Sequence, residues 1–167
     1  MSSHFLNHDL VHLVVTDFVE RVIFPLMRSG MVKRSHLAIV VAYRGDLSVE
    51  FEDALLLERT YNLDNQPFEH PYDQIAYGKC ALAYREGRST REVNAHRPEL
   101  LQTGDVVHAG GIVSLGFAIG VSGVDNWDDE AFALQLAVEL WRIIMGRYMI
   151  VRTQDINFLG EEVNHPT

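Results

Sequence analysis

The stretch that most constrains the fold is residues 104–145, which has the pattern of two short strands followed by a helix. The segments 106–108 and 117–122 have β-type composition and flank the pair Gly110-Gly111, which predicts a hairpin. The second segment is apolar at nearly every position, as is typical of a central strand covered on both faces. A helix with an acidic first turn and apolar residues at helical spacing follows, and we expect it to pack on the sheet.

The rest of the chain supplies the other elements of a small layered domain. In chain order they are predicted as a helix over 7–27 bent or ended by Pro25, a strand over 37–42, a returning strand around 49–51, a polar loop over 58–71 and a helix over 72–88. The order helix, strand, strand, helix, strand, strand, helix predicts an α+β fold, with helices packed on an antiparallel sheet.

Length and composition narrow the classes of protein. At 167 residues the chain is expected to form one domain, with a core over about 7–145 and a C-terminal extension over 146–167. The formal net charge of −9 disfavours nucleic acid or an anionic membrane as the main partner. The single cysteine, Cys80, rules out an intramolecular disulfide framework and is expected to be buried. No apolar run has the length of a membrane span and no signal peptide is recognisable, so we expect a cytoplasmic protein.

Lys79 is the unusual residue of the helix over 72–88. At 100° per residue it falls within the apolar arc that is defined by Ile75, Ala76, Leu82 and Ala83. One interpretation is snorkelling, in which the aliphatic stem packs and the ammonium reaches solvent. The other is that the ammonium faces a cavity and neutralises an anionic ligand.

Three histidines near the start, His4, His8 and His12, are spaced four residues apart. On a helix this spacing places them on one face, where they could bind a divalent metal ion. The alternative is a frayed terminus whose histidines are solvated.

Three motifs in order resemble one known family. They are LAIVVAYRGDLSVEF at 37–51, IAYGKCALAYREGRST at 75–90, and HAGG, AIGVSG and DDEAFA between 108 and 133. This combination resembles the GlcG/HbpS-like family, whose members include haem-binding proteins and the carboxy-terminal domain of some corrinoid adenosyltransferases.

The resemblance implies a profilin-like, three-layer α/β/α fold with a five-stranded antiparallel sheet, assembled into dimers or larger rings. It also implies that Lys79, His108, Gly110 and Gly111 surround a pocket between the lysine helix and the sheet. Haem is the leading ligand on this basis, with His108 as the axial donor and Lys79 or Arg88 pairing with a propionate. Another small anionic cofactor could pair with the same two cations, Lys79 and Arg88.

Two other functions stay open. The chain could be a non-catalytic, homo-oligomeric interaction module, with large apolar groups near the C-terminal helix as anchors: Trp127, Trp141, Tyr148 and Met149. For both tryptophans, ordinary packing in the core is the simpler expectation. The family also suggests an enzyme acting on a small organic acid, which would need His108 or Glu86 as an acid or base beside Lys79.

Overall fold

A computed structural model describes residues 5–153 of the protein, except for the side chains of Val151 and Thr153. The described residues form six α-helices, one π-helical turn, one 3₁₀ turn and four strands. In chain order these are α1 (His8–Phe18), a π turn (Val19–Ile23), α2 (Phe24–Arg28), β1 (His36–Tyr43), α3 (Phe51–Ala54), β2 (Leu55–Asn62), α4 (Tyr72–Glu86), α5 (Thr90–His96), a 3₁₀ turn (Pro98–Leu100), β3 (Gly111–Ser114), β4 (Phe117–Ser122) and α6 (Asn126–Thr153).

The four strands form one antiparallel sheet in the order β2-β1-β4-β3. The two central strands are the two continuous apolar runs of the sequence, and Ala38 of β1 lies opposite Ser122 of β4. Both strands are buried along nearly their whole length, since helices cover both faces of the sheet. The predicted α+β class and the two central strands are therefore confirmed.

The two faces of the sheet carry side chains of different size. On one face the larger residues of β1, namely Leu37, Ile39 and Val41, pack against α1 and α6. On the other face the alternate residues Ala38 and Val40 pack against α4. The result is a three-layer α/β/α arrangement, in which the larger hydrophobic cluster lies beneath α1 and α6.

Small residues bring α4 into close contact with its face of the sheet. A Cβ atom placed on Gly120 would lie 2.1 Å from the carbonyl oxygen of Ala76. Cys80 is fully buried there, as expected, and its Sγ donates to the carbonyl of Ala118 at 3.3 Å. Because glycine and alanine leave so little side chain between them, the backbone of α4 packs almost directly on β4.

The helices predicted over 7–27 and 72–88 are confirmed. The first helical region passes through the π turn just before Pro25, because proline lacks an N–H and its ring crowds the carbonyl four residues earlier. That region ends at Gly30, whose φ is 76°. Helix α4 ends at Gly87, which adopts the left-handed conformation that glycine tolerates at a helix end.

The remaining strand predictions are wrong in position or in number. The segment around 49–51 precedes and enters α3, and the returning strand is β2, which begins six residues later and extends into the predicted polar loop over 58–71. Its leucines pair with β1, whereas Phe51 packs on Tyr77 of α4. The segment 106–108 is not a strand, because the hairpin turn lies at Leu115-Gly116 and the two glycines precede or begin β3. The described residues form four strands and not the five that the resemblance implied.

Helix α6 is longer than the sequence predicted. It passes through Gly146 and continues to Thr153, about 42 Å in all for 28 residues. The expected boundary between a core and an extension at residue 146 therefore falls inside a helix, and residues 154–167 lie outside the described part. Within residues 5–153, none of the helices combines the length and the apolar character that crossing a membrane requires.

The β3–β4 turn contains a strained residue that can be tested. Leu115 has a φ of 53° and Gly116 a φ of 83°, the signs that a two-residue type I′ hairpin requires. This left-handed conformation is strained for leucine, whereas asparagine adopts it readily. We expect Leu115→Asn to raise the free energy of unfolding by about 1 kcal/mol, measured by urea denaturation. Leu47→Asn is the control, since Leu47 is also exposed but does not have a positive φ; an equal gain in both variants would contradict the explanation.

Candidate functional site

The side chain of Lys79 is the most deeply buried charge that the structure describes. The residue is only 1% exposed. Its Nζ donates to the carbonyl oxygen of Val121 at 2.8 Å and to Oδ2 of Asp129 at 2.9 Å. Lys79 extends from α4 on one face of the sheet, while Asp129 lies in the first turn of α6 on the other face. One ion pair therefore connects the two helical layers.

Asp129 is held in place independently of the lysine. Its Oδ1 accepts the N–H of Val124 at 3.1 Å, and its own N–H donates to the carbonyl of Asp125 at 2.8 Å. Asp125 caps the helix, because its Oδ1 accepts the N–H groups of Trp127 and Asp128. The acidic helix start found in the sequence thus provides Asp129 as the counter-ion of Lys79, whereas the cap of α6 is the preceding Asp125.

Burial disfavours the charge on both members of this pair. It lowers the pKa of Lys79 and raises the pKa of Asp129, and in each case the charge of the partner opposes the effect of burial. Snorkelling is the wrong interpretation of Lys79, since its ammonium does not reach solvent. An anionic ligand at this ammonium would have to displace Asp129.

The glycine pair closes the space around Lys79. A Cβ on Gly110, whose φ is 115°, would lie 2.8 Å from Lys79 Nζ and 2.7 Å from the carbonyl oxygen of Val121. A Cβ on Gly111 would lie 2.4 Å from the carbonyl oxygen of Lys79, and its N–H donates to Thr90 Oγ1 at 3.1 Å. Atoms this close leave no slot for a large planar ligand beside Lys79, Gly110 and Gly111.

The other predicted site residues lie outside this buried cluster. His108 is exposed, on the connection that leads to β3. Arg88 forms an ion pair with Glu92, four residues further along the chain. Glu86 accepts a hydrogen bond from Arg85, and the carboxylate beside Lys79 is that of Asp129. The structure therefore brings Lys79, Gly110 and Gly111 together without an open pocket between them.

The N-terminal histidines are only partly described. His8 Nδ1 lies 3.0 Å from the carbonyl oxygen of Leu56, and His12 is exposed on α1. His4 lies outside the described residues. Among residues 5–153, no group of three or more histidine, cysteine, aspartate or glutamate side chains is placed to hold a metal ion.

A cleft of about 660 Å³ lies between the outer face of α5 and the start of α6. Ala109, next to His108, contributes to one wall. The polar and aromatic side chains that line the cleft are Ser89, Arg91, Glu92, His96, Asn126 and Trp127. The volume is in the range of small-molecule sites, and the polar groups come from different segments of the chain.

The Arg91 guanidinium joins the two sides of this cleft. Its Nε and Nη2 donate to the two carboxylate oxygens of Glu130, at 2.9 and 2.8 Å. Its Cζ lies 5.5 Å from the ring centroid of Trp127, within the range of a cation–π contact. Trp127 is nevertheless 70% exposed, so most of its indole is available to a bound molecule. Core packing is thus the wrong expectation for this tryptophan.

Sequence reasoning missed the partner of Lys79 and most of the cleft. The sequence showed a lysine within the apolar arc of one helix and an acidic start of another helix. Neither pattern indicated that Lys79 and Asp129 would form a pair. Arg91 and His96 lie on a helix of seven residues, too short to show a clear period. Their meeting with Trp127 follows from how α5 packs beside α6, which no local pattern encodes.

The ion pair predicts an asymmetry between single and double substitutions. Lys79→Met or Asp129→Leu alone leaves an uncompensated buried charge and should cost about 3–5 kcal/mol of unfolding free energy. The double variant should cost clearly less than the sum of the two, as a double-mutant cycle by chemical denaturation would measure. Additive losses would contradict a direct pair.

Crowding at Gly110 predicts a second stability effect. Gly110→Ala should destabilise the protein through both backbone strain and contact with Lys79 and Val121. Gly104→Ala is the matched control, because Gly104 also has a positive φ (97°) but has no atom within 4 Å of its added Cβ. The unfolding free energy lost by each variant is measured by thermal or urea unfolding. A larger loss in Gly110→Ala than in Gly104→Ala gives the effect of crowding, and equal losses would show that crowding is absent.

Comparison with known proteins identifies the fold. No family model matches the chain, and no curated protein matches it. Protein ORFY of Klebsiella pneumoniae, whose structure is described under the DUF336 family, is 17% identical, with a TM-score of 0.51 over 82% of this chain and 90% of that chain. The Ybr137w protein is 13% identical, with a TM-score of 0.54 over 87% of this chain and 81% of that chain. At these identities the likeness concerns the fold alone, and that fold is the GlcG-like one to which the sequence motifs pointed.

Proposed function

We propose that this chain is a homo-oligomeric domain that binds a small molecule in the cleft between α5 and α6. The observation that carries the proposal is the exposed indole of Trp127 beside the Arg91 guanidinium at a cleft of about 660 Å³. Small-molecule sites combine a concave apolar surface with a few polar groups that fix orientation, and this cleft has both. We place the protein in the cytoplasm, where a buried thiol such as Cys80 stays reduced.

The lining favours a flat, conjugated ligand that carries at least one carboxylate. The indole offers a surface for stacking. The hydrogen bonds from Arg91 to Glu130 use Nε and Nη2, and we assign Nη1 to the ligand carboxylate. Half of the Arg91 side chain is exposed, so a ligand can approach it from the cleft. Lys79 has no direct part in this site, because its side chain is buried and does not line the cleft.

Haem belongs to this chemical class and remains the first ligand to test. In the cleft, the imidazole would come from His96, which lines it, or from His108, which precedes the wall residue Ala109. Arg91 lines the cleft and is available to a propionate, whereas Arg88 is paired with the lining residue Glu92. Bound haem would supply an iron centre that takes an axial imidazole.

A second candidate function is an interaction module without a ligand. It is favoured by large apolar side chains on the outer face of α6, where Trp141 is 44% exposed and Met149 is 48% exposed. The two functions are separable by experiment, since only the first requires Arg91 and Trp127 to contact a small molecule.

The ligand proposal is tested by titrating the full chain with hemin and with metal-free protoporphyrin IX. We expect saturable quenching of tryptophan fluorescence by both, and a Soret shift with hemin. Arg91→Ala should weaken both affinities at least about tenfold, which corresponds to loss of one charge-assisted contact. His96→Ala and His108→Ala should affect hemin more than protoporphyrin, because only hemin uses an axial donor.

Arg97→Ala is the matched control, since Arg97 follows α5 and pairs with Glu99 without lining the cleft. Its affinities should equal those of the wild type. The proposal is wrong if both porphyrins bind wild type and Arg91→Ala equally, or bind no better than to an unrelated acidic protein.

A further inference from the structure

The cleft between α5 and α6 contains a carboxylate as well as a guanidinium. Glu92 lines the cleft next to Arg91, on the same short helix. Its Oε1 accepts a hydrogen bond from Nη1 of Arg88, and within residues 5–153 its Oε2 has no hydrogen-bond partner. An ionised carboxylate only accepts hydrogen bonds, so this oxygen is available to an N–H group of a bound molecule. A ligand of the cleft therefore meets one free donor, at Arg91, and one free acceptor, at Glu92.

The two ion pairs at the cleft differ in how firmly they are held. Glu130, the partner of Arg91, is a buried carboxylate that binds the guanidinium through two of its nitrogens, so Arg91 keeps its position. The side chains of Arg88 and Glu92 are 41% and 42% exposed, and an exposed pair of this kind contributes little to stability. Glu92 can accordingly turn its carboxylate toward a ligand, whereas Glu130 stays with Arg91.

The charges around the cleft cancel. Arg91 is balanced by Glu130 and Arg88 by Glu92, in a chain whose formal net charge is −9. A ligand whose only polar groups are carboxylates gains no net attraction here, because it meets the carboxylate of Glu92 as well as the guanidinium of Arg91. A ligand with a carboxylate at one end and N–H groups at the other matches both free atoms. The electrostatics thus favour a molecule of this second kind.

The opposite wall of the cleft adds a neutral amide and an aromatic ring. Asn126 is exposed at the start of α6, and its side-chain amide has no hydrogen-bond partner in the described part of the chain. An amide offers a donor and an acceptor side by side, which suits the alternating N–H and acceptor groups at the edge of a nitrogen heterocycle. The exposed indole of Trp127, the next residue, is a surface on which such a ring can stack.

We infer that the ligand of this cleft is a planar nitrogen heterocycle that carries a carboxylate. The carboxylate binds Nη1 of Arg91, an amino or ring N–H edge binds Oε2 of Glu92, and the ring lies against Trp127. This inference rests on the proposed function and narrows its ligand class, since haem has carboxylates but no N–H edge to offer Glu92. Aminopteridine carboxylates have this combination of groups, and the cleft volume of about 660 Å³ accommodates their two fused rings.

Calorimetric titration with two ring carboxylates of matched size tests the inference. Pterin-6-carboxylate has the amino and N–H edge, whereas naphthalene-2-carboxylate has two fused six-membered rings without any N–H. The wild-type full chain should bind pterin-6-carboxylate at least about tenfold more tightly, which corresponds to one charge-assisted hydrogen bond. Equal affinities for the two compounds would overturn the inference.

The variant Glu92→Gln isolates the contribution of this carboxylate. It should weaken binding of pterin-6-carboxylate about fivefold, because a neutral amide oxygen accepts a hydrogen bond less strongly than a carboxylate does. It should leave or raise the affinity for naphthalene-2-carboxylate, because a negative charge has been removed from the cleft. Glu99→Gln is the matched control and should change neither affinity, since Glu99 is exposed, pairs with Arg97 and does not line the cleft.

The outcomes separate this inference from the proposed function. Binding of pterin-6-carboxylate that is unchanged in Glu92→Gln overturns the inference and leaves the cleft as a carboxylate site. An equal loss for both compounds in Glu92→Gln would show a structural effect and overturn the inference as well. If the wild type binds neither compound, the inference is again wrong, and the porphyrin titrations then decide whether the cleft binds the proposed class of ligand.

Discussion

The ion pair between Lys79 and Asp129 is the contact on which the arrangement of the domain depends. It links α4 on one face of the sheet to α6 on the other. The Lys79 ammonium also donates a hydrogen bond to the carbonyl of Val121, at the end of β4. Buried pairs of this kind contribute little net stability, because desolvation offsets their attraction. Their effect is geometric, since a buried charge tolerates few positions for its partner. We infer that the pair fixes where the start of α6 lies relative to α4.

The start of α6 in turn determines the cleft. Glu130 follows Asp129 directly and is itself buried, and its carboxylate holds Arg91 of α5 in a bidentate contact. Arg91 lies against Trp127, at the same end of α6. Thus a continuous series of contacts leads from the buried lysine to the exposed indole. A lysine that the sequence suggested as a ligand group acts here as a structural support, one layer behind the surface where we place the ligand.

The parts of the fold that were predictable are those with strong local periodicity. The apolar runs of β1 and β4, the glycine end of α4 and the acidic start of α6 are each encoded within a few residues. The position of β2 was not predictable, because the alternation of apolar and polar residues around Val49 and Phe51 fits a short helical turn as well as a strand. Gly146 did not end α6, although glycine at that position costs about 1 kcal/mol relative to alanine. The site was the least predictable part, since Asp129 is fifty residues from Lys79 and their pairing exists only in three dimensions.

The Lys79 ammonium is bound by Asp129 and closed to solvent. Heteronuclear NMR of the lysine side chains, recorded as a function of pH and assigned with a Lys79→Arg variant, observes this group directly. We expect Lys79 to give a slowly exchanging ammonium signal that titrates below the usual range of lysine, since burial lowers the pKa of Lys79. A Lys79 ammonium signal that exchanges rapidly with water would show that the group is open to solvent and would make it a candidate ligand-binding group again.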